Sequence, residues 1–160
     1  PGAAEDRGAG DRHARAAEAG YRRLGATREL TRVWESMGKL AMRSGLFEKA
    51  TLSLMAALEV QRELGDLLGM ARTTSTLADV LTEKGDYAGA VGLLAESINK
   101  NREKGSPIGL AFNRRSMESL ARRMPEELHS LLGEARARLQ EAEEVIGKAD
   151  LAGDLIQSID

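Results

Sequence analysis

The sequence repeats itself at a shift of 40 residues, and that period constrains the fold more than any other feature. Leu24-Gly25 recurs as Leu64-Gly65 and as Lys104-Gly105. Leu30, Met70 and Leu110 align, as do Met37, Leu77 and Met117, and Leu40, Val80 and Leu120. Gly45-Leu46-Phe47 matches Gly85-Asp86-Tyr87, and Ala50, Leu54 and Leu58 match Ala90, Leu94 and Ile98. Apolar matches alone arise by chance in a Leu- and Ala-rich chain; glycines recurring at two separate phases do not. Self-similarity at a period of about 20–50 residues is the mark of stacked supersecondary units.

Each period reads as two helices. The first spans roughly Glu29 to Arg43, with Leu30, Val33, Trp34, Met37, Leu40 and Ala41 at the spacing of an amphipathic helix. Gly45 then stops it, as a left-handed cap residue does. The second spans about Phe47–Leu64. The next unit repeats this over Leu68–Lys84 and Tyr87–Lys104, and a third first-helix covers Pro107–Arg123, Pro107 suiting a first helical turn. Residues 11–24 fit the second helix of an earlier, incomplete unit, behind a flexible tail over residues 1–10. After Met124-Pro125 the register slips by five, placing Ala135 at the phase of Ala90 and Leu139 at that of Leu94. The array is therefore expected to occupy 11–149, with units at about 26–65, 66–105 and 106–149. A capping helix over 150–160 would present Leu151, Leu155, Ile156 and Ile159 on one side, with docking on a second copy as the alternative to self-capping.

Composition agrees and removes other classes. The 160 residues are 42% hydrophobic and 30% charged, with three prolines and five aromatic residues, which suits helices rather than a β-sandwich. No cysteine is present, so a disulfide framework, a thiolate nucleophile and a zinc–cysteine site are excluded. A formal net charge of −2 gives no overall bias toward nucleic acid or membrane. The apolar runs are too short for a membrane span, and Pro1–Gly10 lacks the apolar stretch of a signal peptide. A start at Pro1 rather than Met reads as a fragment of a longer, by default cytoplasmic, protein.

The units resemble the tetratricopeptide repeat, whose pattern is W-x2-L-G-x2-Y followed by A-x3-F. Here Trp34-x2-Met37-Gly38-x2-Ala41 precedes Ala50-x3-Leu54, and Thr74-x2-Leu77-Ala78-x2-Leu81 precedes Ala90-x3-Leu94. The third unit departs from the pattern with Arg114, Met117, Glu118 and Ala121. A 40-residue period is similar to the long-helix arrays of the kinesin light chain, of GoLoco-binding spindle-orientation adaptors and of bacterial STAND-type regulators. The resemblance implies an all-α, right-handed superhelical solenoid of antiparallel helix pairs. It also assigns Gly38, Ala78, Ala50 and Ala90 to close helix contacts, and Phe47 and Tyr87 to packing.

Little in the chain points to chemistry. Neither His13 nor His129 has an acidic or histidine neighbour at i+3 or i+4, so both read as surface residues and no metal site is expected. No phosphate-binding loop is present, and Ser75 and Ser116 have no candidate base. Asp79 and Glu83 read as a charged helix face. The chain is thus expected to be no enzyme and to need no cofactor.

The tetratricopeptide resemblance instead implies binding on the concave face, through positions two, five, nine, twelve and thirteen of each unit. Those positions carry Arg32, Glu35, Lys39, Met42 and Arg43; then Arg72, Ser75, Asp79, Thr82 and Glu83; then Phe112, Arg115, Ser119, Arg122 and Arg123. Seven of the fifteen are basic and three acidic, in a chain that is net acidic. Such a groove would steer an acidic peptide, with arginines clamping carboxylates and Met42 and Phe112 adding apolar contact. Lys39, Asp79 and Ser119 stand where a carboxylate-clamp groove has Asn, which argues against that subclass. The implied function is a protein–protein interaction scaffold or adaptor. The alternatives are a regulatory or sensor domain of a larger bacterial signalling protein and, less favoured, an RNA-binding array drawing on Arg114-Arg115 and Arg122-Arg123.

Overall fold

The computed structural model describes residues 2–158. Over that span the chain is all-α: α1 (Gly2–Arg43), α2 (Phe47–Leu64), α3 (Leu67–Lys84), α4 (Tyr87–Glu103), α5 (Pro107–Arg123) and α6 (Gly133–Gln157), with a 3-10 segment over Glu126–Leu132 before α6. Each helix packs against its sequence neighbours. In addition α1 touches α3, α3 touches α5, and α4 touches α6. The odd-numbered helices thus form one layer, with α2, α4 and α6 laid over it.

The turns explain why the helices end where they do. Gly45, Gly65, Gly85 and Gly105 have φ of +75°, +66°, +85° and +62°, a left-handed conformation that a Cβ disfavours. They fall 20 residues apart, so the turn period is half the sequence period. At Gly85 the backbone N–H donates to the Thr82 carbonyl (3.0 Å) and that of Asp86 to Leu81 (2.8 Å), satisfying two end carbonyls in a Schellman arrangement. At three of the four turns the side chain after the glycine then caps the next helix; Leu46, after Gly45, does not. Asp66, Asp86 and Ser106 accept from the backbone N–H of Gly69, Gly89 and Gly109 at 2.9, 2.9 and 3.0 Å.

Two expectations fail at the ends. The turn expected near residue 25 does not form: α1 runs unbroken through the supposed tail over 1–10 and the supposed partial unit over 11–24. Gly25 lacks the positive φ of the other junctions. The next residue, Ala26, lacks the capping oxygen of Asp66 and Ser106, though Leu46 lacks one too at a turn that does form. At the other end, among the described residues, no separate helix begins near 150, because α6 continues to Gln157. Leu155 and Ile156 are 59% and 66% exposed, so they cap nothing in this chain, while Ile159 lies outside the described residues.

The core forms two clusters that meet across α3 and α4. Ala41, Ala50, Leu54, Leu77 and Val80 make one, with Phe47 packed against it. Ala78, Ala90, Leu94, Ile98, Met117, Leu120, Leu132, Ala135 and Leu139 belong to the other, with Tyr87 at its edge. Ala135 and Leu139 are buried as Ala90 and Leu94 are, in the slipped register read from the sequence. At Gly38 α1 approaches α2 closely: a Cβ there would lie 2.6 Å from Leu54 Cγ. Contrary to expectation, Leu30, Val33, Met37 and Leu40 are not core residues; they are 44–64% exposed on α1.

Candidate functional site

The fifteen groove positions all lie on α1, α3 and α5, the layer whose members touch in series. The structure divides them into side chains bound within the chain and side chains left to solvent.

The largest correction concerns Glu35 and Arg72, read from the sequence as free groove charges. Glu35 is only 7% exposed and its carboxylate accepts four hydrogen bonds. Arg72 donates from Nε (3.1 Å) and from its terminal nitrogen (3.1 Å) to the two oxygens, the Thr73 hydroxyl donates at 2.7 Å, and the Gln61 amide donates at 3.2 Å. Burial pushes the carboxyl pKa up. The bonds from Arg72, Thr73 and Gln61, with the Arg72 charge, outweigh burial and hold it below its ordinary value. Arg72 is therefore part of a clamp joining α1, α2 and α3, and not the free groove charge expected. The partners Gln61 and Thr73 escape sequence reading because both are polar at helix positions where a surface residue is equally plausible.

Other predicted positions are also committed. The Ser75 hydroxyl bonds the buried Ser116 hydroxyl at 2.6 Å, tying α3 to α5. Arg123 pairs with Glu83, and with Asp79 at 3.7 Å. Burial raises the Asp79 pKa, and the charge of Arg123 offsets that only in part. Thr82 is buried, its hydroxyl donating to the Ala78 carbonyl at 2.7 Å. Arg115 lies over the Phe112 ring, 5.5 Å from its centroid, on the same helix. Met42, Phe112 and Ser119 are half-buried.

Five cations remain exposed with no ion pair among the described residues: Arg32, Lys39 and Arg43 on α1, and Arg115 and Arg122 on α5. Between them α3 presents Ser75, Asp79 and Glu83. Along this layer these side chains are basic on α1 and α5 and neutral to acidic on α3.

His13 is exposed, but His129 is not the bare surface residue expected. It is half-buried, and its Nε2 donates to the Met124 carbonyl at 3.1 Å, closing the end of α5. Among the described residues no group of three or more His, Cys, Asp or Glu could hold a metal ion, and no helix is long and apolar enough to cross a membrane. No protein-family model matches this chain, and neither does any curated protein or solved structure.

Proposed function

We propose that the chain is a tetratricopeptide-like interaction module, a right-handed array of helix pairs that receives an acidic peptide or helix across α1, α3 and α5. One observation supports this above the rest. In-chain pairing removes Arg72 and Arg123 from the groove and leaves five unpaired cations grouped at its two ends. Exposed cations on a rigid helical layer are already oriented for bidentate or long-range contact with carboxylates. A ligand with acidic residues at both ends and an uncharged middle fits this distribution, since Asp79 and Glu83 repel negative charge at the centre.

The experiment is capture of binding partners from lysate by the wild-type chain and by Arg115→Glu with Arg122→Glu, read by mass spectrometry, followed by affinity measurement on the captured partner. Both arginines are exposed and unpaired by carboxylates, so folding should persist. Affinity is expected to fall at least about tenfold, through a slower on-rate and a reduced salt dependence. Equal capture and equal affinity would remove the groove assignment.

A further inference from the structure

The exposed stripe on α1 has a precedent within the chain. Leu30, Val33, Met37 and Leu40 correspond at the 40-residue shift to Met70, Thr73, Leu77 and Val80 on α3. They correspond again to Leu110, Asn113, Met117 and Leu120 on α5. On α3, Thr73, Leu77 and Val80 are 0–5% exposed and on α5 all four are 2–3% exposed, because α2 and α4 lie over them. Among the three, only the α1 stripe is bare. At 100° per residue the stripe sits about a third of a turn from Arg32, Lys39 and Arg43, so it is separate from the proposed groove.

The other half of α1 supplies a candidate cover. From Arg12 to Leu30 every described side chain is exposed except the half-buried Gly20 and Thr27. A polar helix projecting this far with nothing beneath it is marginal in water and needs packing to persist. Folding back onto its own stripe would require a turn at Gly25, which the uncapped Ala26 junction does not make.

We propose that the stripe is covered by the N-terminal half of α1 from a second copy of this chain. The two α1 helices run antiparallel about a twofold axis close to Gly25, so that each occupies on its partner the place that α2 and α4 occupy within the chain. The spacing of Leu30, Val33, Met37 and Leu40 alternates three and four, the seam of a coiled helix pair, and continues upstream through Ala16, Ala19 and Ala26. In this register Leu30 and Val33 lie beside Ala19 and Ala16 of the second copy, large against small. Arg22 lies level with Glu29 of the second copy, and the symmetry repeats that opposite-charge pair. Arg23 falls on the seam beside Ala26 of the second copy, whose methyl group leaves space for the arginine stem.

The test uses the full chain. Light scattering after size exclusion should give twice the 17.2 kDa chain mass, falling to one chain mass in Val33→Glu with Met37→Glu. Both positions are exposed, so far-UV circular dichroism should confirm that the array stays folded. The chain has no cysteine, so oxidising a mixture of Ala19→Cys and Leu30→Cys proteins should give mainly the crossed disulfide dimer. A single chain mass at about 100 µM, well above the Kd of a specific interface of standard size, would overturn the proposal. So would an intramolecular disulfide in a monomeric Ala19→Cys/Leu30→Cys double variant, which means folding back in cis. A preference for Leu30→Cys homodimers, or a double mass that survives Val33→Glu with Met37→Glu, would place the interface elsewhere or in another orientation and equally refute it.

Discussion

Replacing Glu35 with Ala tests whether the buried clamp holds the first three helices together. The substitution leaves the Thr73 hydroxyl, 0% exposed, and the Gln61 amide, 1% exposed, without their acceptor. An unsatisfied buried donor costs about 1–3 kcal/mol. Thr73 falls at the low end, since its hydroxyl can turn to a carbonyl one turn back as Thr82 does. Arg72, 39% exposed at its side chain, recovers water and loses only about 0–1 kcal/mol. The sum is about 3 kcal/mol. Urea unfolding followed at 222 nm should show a lower midpoint with an unchanged slope. The effect also has a pH signature. The folded pKa of Glu35 lies below its unfolded value, so its stabilisation is complete above the ordinary carboxylate range and is lost as pH falls through the folded value. The gap between wild type and Glu35→Ala should therefore narrow on acidification below about pH 5. A variant within about 0.5 kcal/mol of wild type at pH 7, or a gap independent of pH, would refute the reasoning.

The remaining predictions concern close contacts, turns and a strained charge. Gly38→Ala should destabilise by about 1–3 kcal/mol, because the new methyl meets Leu54 in a fully buried site; calorimetry of the variant with and without Leu54→Ala should show the two changes partly compensating. Gly85→Ala should cost about 1–2 kcal/mol from its φ of +85° alone, with open space around the added Cβ, whereas Gly25→Ala should be neutral or stabilising by thermal melting. Asp79→Asn should raise stability at neutral pH, since burial raises that carboxyl pKa and Arg123 keeps Glu83 as a partner. The sign follows from linkage: a folded pKa above the unfolded one lowers stability at high pH, and the difference should shrink as pH falls through the folded value and be gone below the unfolded one.

The fold was legible where one physical requirement repeats. Gly45, Gly65, Gly85 and Gly105 stand where the backbone must be left-handed, so the helix ends from residue 43 to 107 could be read within a few residues. The finer motif was partly hidden by its half-period: a shift of 40 aligns Gly-Asp-x-x-Gly at 65–69 with Gly-Ser-x-x-Gly at 105–109, but only a shift of 20 adds the copy at 85–89. Residue 25 has the glycine without the capping oxygen, but so does residue 45, where the turn forms, so the motif does not account for the difference. The expected groove positions fall on α1, α3 and α5, because their phase follows from periodicity. Their availability was not legible, because whether Arg72 meets solvent or Glu35 depends on a contact 37 positions away in the chain. Exposure of Leu30 and Leu40 was likewise hidden, since an amphipathic pattern names an apolar face without saying whether anything covers it.

The buried polar groups bear on how such an array keeps its alignment. Apolar helix faces built from Ala and Leu can slide by one turn, about 5.4 Å, with modest loss of buried area. Here that slide is opposed at two successive junctions. At α2–α3, Gln61 and Thr73 meet the Glu35 carboxylate; at α4–α5, 40 residues on, Asn101 and Asn113 bond at 2.7 Å and share the Ser97 hydroxyl at 3.4 and 2.9 Å. Moving either pair by a turn would strand several buried donors at once, each at about 1–3 kcal/mol, whereas the apolar contacts would largely re-form. The first junction contains an ion pair and the second only neutral groups. Acid should therefore loosen α1 to α3 before it affects α4 and α5, and hydrogen exchange measured against pH would show the amides around residues 61–73 losing protection ahead of those around 97–113.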